Sequence, residues 1–262
     1  MTNAAELIRM AGVGKVFANG ITAVNDMSLS IREGEFVSFL GPSGCGKSTA
    51  LKMIAGLLAQ NSGTISVNGH SPGAGADATD VGFVFQDATL MPWGTVFDNV
   101  YLPLRLRGIS RDGARDPVLE ALVSVGLHGF DGAYPRELSG GMKMRVSIAR
   151  SLVTRPKLLL MDEPFAALDE MTRFKLNNDV LNLWDQQKLT VIFVTHSVFE
   201  SVYLSNRIVV MAARPGRVAD DITLDEGYPR NDSYRNTPTY AENCRIVSKA
   251  LQSTLNGDGH GA

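Results

Sequence analysis

The chain has 262 residues, of which 44% are hydrophobic and 20% charged, and a net charge of -2. That is enough to bury a full sheet, and it excludes the bulk basic field that holds nucleic acid. No apolar run reaches the ~18 residues of a membrane span, so a role at a membrane would take its spans from another chain.

The first stretch, "LIRMAGVGKVF" (7–17), reads as an exposed strand, as does "GTISVNG" (63–69). Both look antiparallel. Between them lies "FVSFL" (36–40), apolar on both faces like a buried parallel strand. "VGFVF" (81–85), "KLLLM" (157–161), "TVIFV" (190–194) and "RIVVM" (207–211) repeat that pattern. Helical patterns follow at 47–57, 170–188 and 197–205. Strand alternating with helix predicts a wound, mainly parallel sheet with right-handed crossovers. The span from about 87 to 155 breaks the rhythm. It is helix-patterned, punctuated by Pro92, Pro103, Gly108, Gly126 and Pro135, and reads as a helical subdomain inserted in the core. The expected division is a single domain: core at about 5–86 and 156–216, helical part at about 87–155, and a polar tail at 217–262 whose end, "NGDGHGA", reads as disordered.

"GPSGCGKST" (41–49) matches G-x-x-x-x-G-K-[ST] and lies between a strand and a helix, the context that marks a phosphate loop. Gly41, Gly44 and Gly46 let the backbone curl with its N–H groups inward. Lys47 reaches phosphate oxygens, and Ser48 offers a hydroxyl to Mg²⁺. "LLLMDEP" (158–164) brings two carboxylates to a strand's carboxyl end, where open α/β sheets bind ligands. Adjacent acids there call for a cation. Asp162 suits the metal and Glu163 a water aimed at the γ-phosphate. His196 ends "FVTH" (193–196) and Gln86 ends "VGFVFQ" (81–86). Each is either a polar residue leaving a sheet, or a contact for the γ-phosphate (His196) or for Mg²⁺ and the water (Gln86).

"LSGGM" (138–142) opens a further helix with Ser139, Gly140 and Gly141. Free N–H groups and the positive dipole end make this a second anion site in one small chain.

In order and approximate spacing, the phosphate loop, "FVFQ", "LSGGM", "LLLMDEP", "ALD" and "VTH" resemble an ATP-binding-cassette (ABC) ATPase over about residues 8 to 215. "LSGG" separates that family from other phosphate-loop proteins. The resemblance implies the ABC ATPase fold, with ATP and Mg²⁺ as cofactors. It also implies a head-to-tail dimer in which each ATP lies between one copy's phosphate loop and the other's Ser139-Gly140-Gly141. Gly41, Pro42, Ser43, Gly44, Cys45, Gly46, Lys47, Ser48 and Thr49 would then line the nucleotide site, with Ser48, Gln86 and Asp162 on the metal and Glu163 and His196 catalytic. Phe17 would stack on adenine, the other reading being a core phenylalanine, and Asp169 would cross the interface.

"DATLMPW" (87–93) resembles the segment that meets a membrane partner's helix; Leu90, Met91 and Trp93 fit either an exposed docking surface or subdomain core. "LMPWGTVFDNV", "MDEPFAALDEMTR" and "RPGRV" resemble bacterial importers of nitrate, taurine and aliphatic sulfonates. Expected partners are a second copy, membrane permease subunits and, indirectly, a solute-binding protein. The expected place is the cytoplasmic face of the cell membrane. Reduced Cys45 and Cys244 and an N-terminus without the apolar core of a signal peptide agree with that. Met144 stands where the family usually has Gln, and Ser197 where it has Asp. The alternative, a soluble ABC ATPase acting on a macromolecule, would need coiled-coil arms or a second cassette, and a small-molecule phosphate-loop kinase or GTPase would leave "LSGG" unexplained. Residues 48–138 hold no heptad run of that size.

Overall fold

A computed structural model describes residues 5–73, 81–228 and 230–256. The chain divides into two compact units, Met1–Ala78 with Leu189–Ala262, and Thr79–Lys188.

The first unit opens with an antiparallel sheet in the order β2-β1-β4, with β1 at Glu6–Val16, β2 at Thr22–Arg32 and β4 at Ser62–Val67. β2 is a strand that the sequence pattern does not announce. Its inward residues Val24, Met27, Leu29 and Ile31 do not alternate strictly, because a register shift beside Met27 offsets the pairing. β3 (Phe36–Leu40) is buried at every position and pairs in parallel with β7 (Thr190–Thr195) on one side and β8 (Arg207–Ala212) on the other. Its one polar side chain, Ser38, hydrogen-bonds to Ser205, which keeps a hydroxyl in an apolar sheet from going unpaired. α1 (Lys47–Ile54) follows β3 and α6 (Val198–Leu204) follows β7.

The segment from 217, expected to be a polar tail, is folded. β9 (Arg217–Thr223) pairs antiparallel with β8, and α7 (Pro238–Asn256) buries Tyr240, Cys244 and Val247. Those three recur at helical spacing, but Tyr and Cys make the stripe hard to see in composition. Arg230, 7% exposed, donates to the carbonyls of Val202, Tyr203 and Ser205 at 2.8–3.1 Å, closing the C-terminal end of α6. The expectation of disorder at 257–262 falls outside the described residues.

In the second unit β5 (Val81–Val84) pairs in parallel with β6 (Leu158–Asp162), and four helices accompany them: α2 (Val96–Leu106), α3 (Arg115–Ser124), α4 (Gly140–Leu152) and α5 (Glu170–Gln187). A capping box of Thr95 and Asp98 starts α2. A Cβ on Gly82 would meet the Ser151 carbonyl at 2.8 Å, so α4 lies close on β5. Arg145 ties α4 to α5 through Asp179 and donates to the Val125 carbonyl at 2.6 Å. Among the described residues no helix is long and apolar enough to cross a membrane.

Candidate nucleotide site

In the first unit, β3 ends at Leu40 and α1 begins at Lys47, leaving residues 41–46 as a loop over a helix N-terminus. Gly44 and Gly46 sit at φ 78° and 90°, the left-handed region that glycine enters without strain. Gly46 is also hemmed in: a Cβ there would meet the Ala23 carbonyl at 2.6 Å. Lys47 is only 4% exposed, and its Nζ donates to the carbonyls of Gly41 at 2.8 Å and Pro42 at 3.0 Å. The ammonium is curled into its own loop. The first turn of α1 holds no acid of its own. Ser48 and Thr49 are half-buried in that turn. Cys45 is buried and unpaired, and burial raises its thiol pKa despite the nearby Lys47.

Leu40 pairs with Thr195, so Gly41 and His196 leave neighbouring parallel strands at one carboxyl edge. His196 is exposed. Ser197 caps α6 by accepting from the Glu200 amide at 3.3 Å, a task serine performs as well as aspartate. Phe17 is 40% exposed just past β1, with Lys15 Nζ 5.8 Å from its ring centroid, rather than buried as a core residue.

In the second unit, Val84 pairs with Met161, which puts Gln86 and Glu163 two residues beyond the last paired positions of adjacent strands. Asp162 ends β6 at 8% exposure, and Glu163 adopts φ 46°. A non-glycine residue held left-handed at the end of a buried strand is a strain that clusters at functional sites. Ser139 caps α4, accepting from the Met142 amide at 3.3 Å. Ser139 and Gly140 are exposed, while Gly141 is buried, and a Cβ on it would meet Thr172 Cγ2 at 2.6 Å. Asp169 caps α5 through the Thr172 amide at 2.9 Å, and that bond lowers its pKa. Met144 is buried, where a glutamine would need polar partners.

The profile of the ABC transporter family matches residues 24–166. An uncharacterised ABC transporter ATP-binding protein of Methanocaldococcus jannaschii is 46% identical over 228 residues, covering 86% of this chain and 84% of its own. The chain belongs to the ABC transporter family. The aliphatic sulfonates import ATP-binding protein of Bacillus subtilis is 44% identical over 229 residues, 87% of each chain. Among solved structures, a dimeric post-hydrolysis state of an ATP-binding cassette bound to ADP and Pi matches with a TM-score of 0.75 and 33% identity, covering 85% of this chain and all of that one. An ATPase of this family binds ATP with Mg²⁺ and hydrolyses it. The donors here fit that pair. Mg²⁺ prefers hard oxygens from one or two carboxylates plus phosphates, and the Asp162 carboxylate and Ser48 hydroxyl are oxygens of that kind.

The loop after Gln86 divides its three apolar side chains between surface and interior. Trp93 is 78% exposed, but Leu90 and Met91 are half-buried. The loop is anchored by Asn99, 0% exposed, which accepts from the Met91 amide at 2.6 Å and donates to the carbonyls of Met91, Gly94 and Thr95. Sequence reasoning does not single out Asn99 or Arg150. An asparagine one turn after a Thr-x-x-Asp box and an arginine among the apolar residues of "SIARSL" are the available signals.

Proposed function

We propose that this chain is the ATP-hydrolysing subunit of an importer. It works as a head-to-tail dimer on the cytoplasmic face of a membrane whose spans belong to separate permease chains. Aliphatic sulfonate import is the named task of the Bacillus relatives, and a small anionic solute of that kind, delivered by a solute-binding protein, is the proposed cargo.

The observation that carries the dimer is Gly140. Its φ is ordinary, it is exposed, and the nearest atom to a Cβ placed on it would be Leu168 Cδ2 at 3.4 Å. Neither fold nor packing requires glycine there, so close approach of a ligand is the remaining reason. Phosphate already has a seat at residues 41–49 of the same chain, and the proposed occupant of the second seat is the partner copy's nucleotide.

The roles then divide. Lys47 turns its ammonium from the Gly41 and Pro42 carbonyls to the β- and γ-phosphates. The loop N–H groups and Phe17 hold the rest of the nucleotide. Ser48, Asp162 and Gln86 supply oxygen ligands to Mg²⁺, which when bound neutralises phosphate charge. Glu163 takes the proton of the attacking water. His196 donates to the γ-phosphate, and Asp169 lies at the facing copy. Trp93 is the exposed anchor for the membrane chains.

The test is Glu163→Gln with Mg²⁺ and ATP. Turnover should fall by at least ~10²-fold, the scale of a lost general base, and light scattering should show a stable dimer. Full-rate turnover by a strict monomer would overturn the reading.

A further inference from the structure

Two costly contacts hold the loop that follows Gln86. Thr89 sits at φ 46°, where a β-branched residue is strained. Arg150, near the end of α4, grips that same turn. Its Nη1 donates to the Thr89 carbonyl at 2.8 Å. Its Nη2 donates to the Ala88 carbonyl at 2.9 Å, Thr89 Oγ1 at 3.0 Å and Ser147 Oγ at 3.3 Å. Every one of these acceptors is a neutral oxygen. The guanidinium is half-buried, and burial lowers its pKa. A desolvated cation facing only neutral acceptors is a poor route to stability. At the far side of the loop Asn99 of α2 holds residues 91–95, so Trp93 stands between two fastened ends.

α4 therefore carries a different contact at each end. Its N-terminus is the glycine-lined seat at Ser139, and eleven residues later, about 16 Å along the axis, Arg150 holds the 88–89 turn. A helix is stiff over that length.

We propose that Arg150 is a positioning residue that yokes the 88–89 turn to α4, so that the loop bearing Trp93 follows α4 when its N-terminus engages phosphate. This rests on the dimer reading above. The planar fork is what the task needs, because its two nitrogens reach two successive carbonyls and a hydroxyl at once, whereas a lysine is a single point charge.

The test uses the full chain in the Glu163→Gln background, following dimerisation by light scattering and amide exchange at 87–95 with and without Mg²⁺ and ATP. The background should dimerise and gain protection across 87–95. Adding Arg150→Ala should leave the dimer and abolish that gain. Arg150→Lys should also abolish it, which separates the fork from bare charge and decides the matter if the alanine variant fails to fold. Thr89→Gly, which keeps the carbonyl acceptor and relieves the strained φ, should retain the gain. Unchanged protection in the Arg150 variants overturns the proposal, as does loss of the dimer, which would make Arg150 part of the interface. A background that fails to dimerise is a distinct result. It defeats the two-copy reading, and with it the proposal.

Discussion

Both units present a glycine-lined helix N-terminus, and the two are built differently. At α1 the glycines answer to the fold: Gly44 and Gly46 are left-handed and Gly41 would collide with the Met211 carbonyl at 2.6 Å. The one cation is folded inward onto its own loop. At α4 only Gly141 answers to the fold, through Thr172, while Ser139 and Gly140 lie open. In the first seat the Lys47 ammonium lies on the Gly41 and Pro42 carbonyls. The second is finished as a surface, with Lys143 in the first turn of its helix. A helix end left open in this way can add to a phosphate already held elsewhere.

Lys47→Ala breaks the comparison most severely. Charge-assisted hydrogen bonds contribute about 1.5–3 kcal/mol each, so ATP affinity by calorimetry should fall roughly 10- to 100-fold in the monomer. An unchanged affinity would mean the α1 seat is not the primary one.

Ser139→Arg comes next. It removes the cap of α4 and crowds the open end. ATP binding to the monomer should be largely kept, while ATP-dependent dimerisation in the Glu163→Gln background is lost on gel filtration. If both fall together, the two seats serve one copy and the distinction fails.

How much of this is legible in sequence differs between the seats for the same physical reason. The α1 seat is readable in full, because a buried five-residue strand, three spaced glycines and Lys47 each state a local requirement. The strand ends at Asp162 and His196 are readable because apolar runs stop there. At α4 the residues are visible, but what they could serve comes only through the family likeness, since the exposure of Gly140 and its freedom from packing are not written in the sequence. What stays hidden is long-range and polar. Asn99 and Arg150 act on backbone carbonyls of the 88–95 loop, and any side chain can flank a carbonyl. β2 hides behind a register shift, and α7 behind a stripe of Tyr240, Cys244 and Val247.

Within the second seat the two glycines part company. Gly141→Ala pushes a methyl against Thr172 Cγ2, in a residue whose amide is pinned by the Asp169 cap. Overpacking of this kind costs about 1–3 kcal/mol. A lowered melting temperature, restored by adding Thr172→Ser, is the expected result. A melting temperature left unchanged would mean that α5 yields easily and that Gly141 too is kept for the ligand.

Gly140→Ala is the smallest change and the most discriminating. Alanine is favoured over glycine inside a helix by about 1 kcal/mol, the position is exposed, and only Leu168 stands near the new methyl. The isolated chain should therefore melt no lower than the parent, and at most ~1 kcal/mol of stability should be gained in this first turn. The same methyl would stand between the α4 amides and a phosphate approaching from outside, so ATP-dependent dimerisation in the Glu163→Gln background should weaken while monomer affinity for ATP holds. A glycine retained where alanine is more stable is then explained by what docks on it. If the alanine variant dimerises as readily as its parent, Gly140 has no ligand to admit, and the second seat loses the observation that sets it apart.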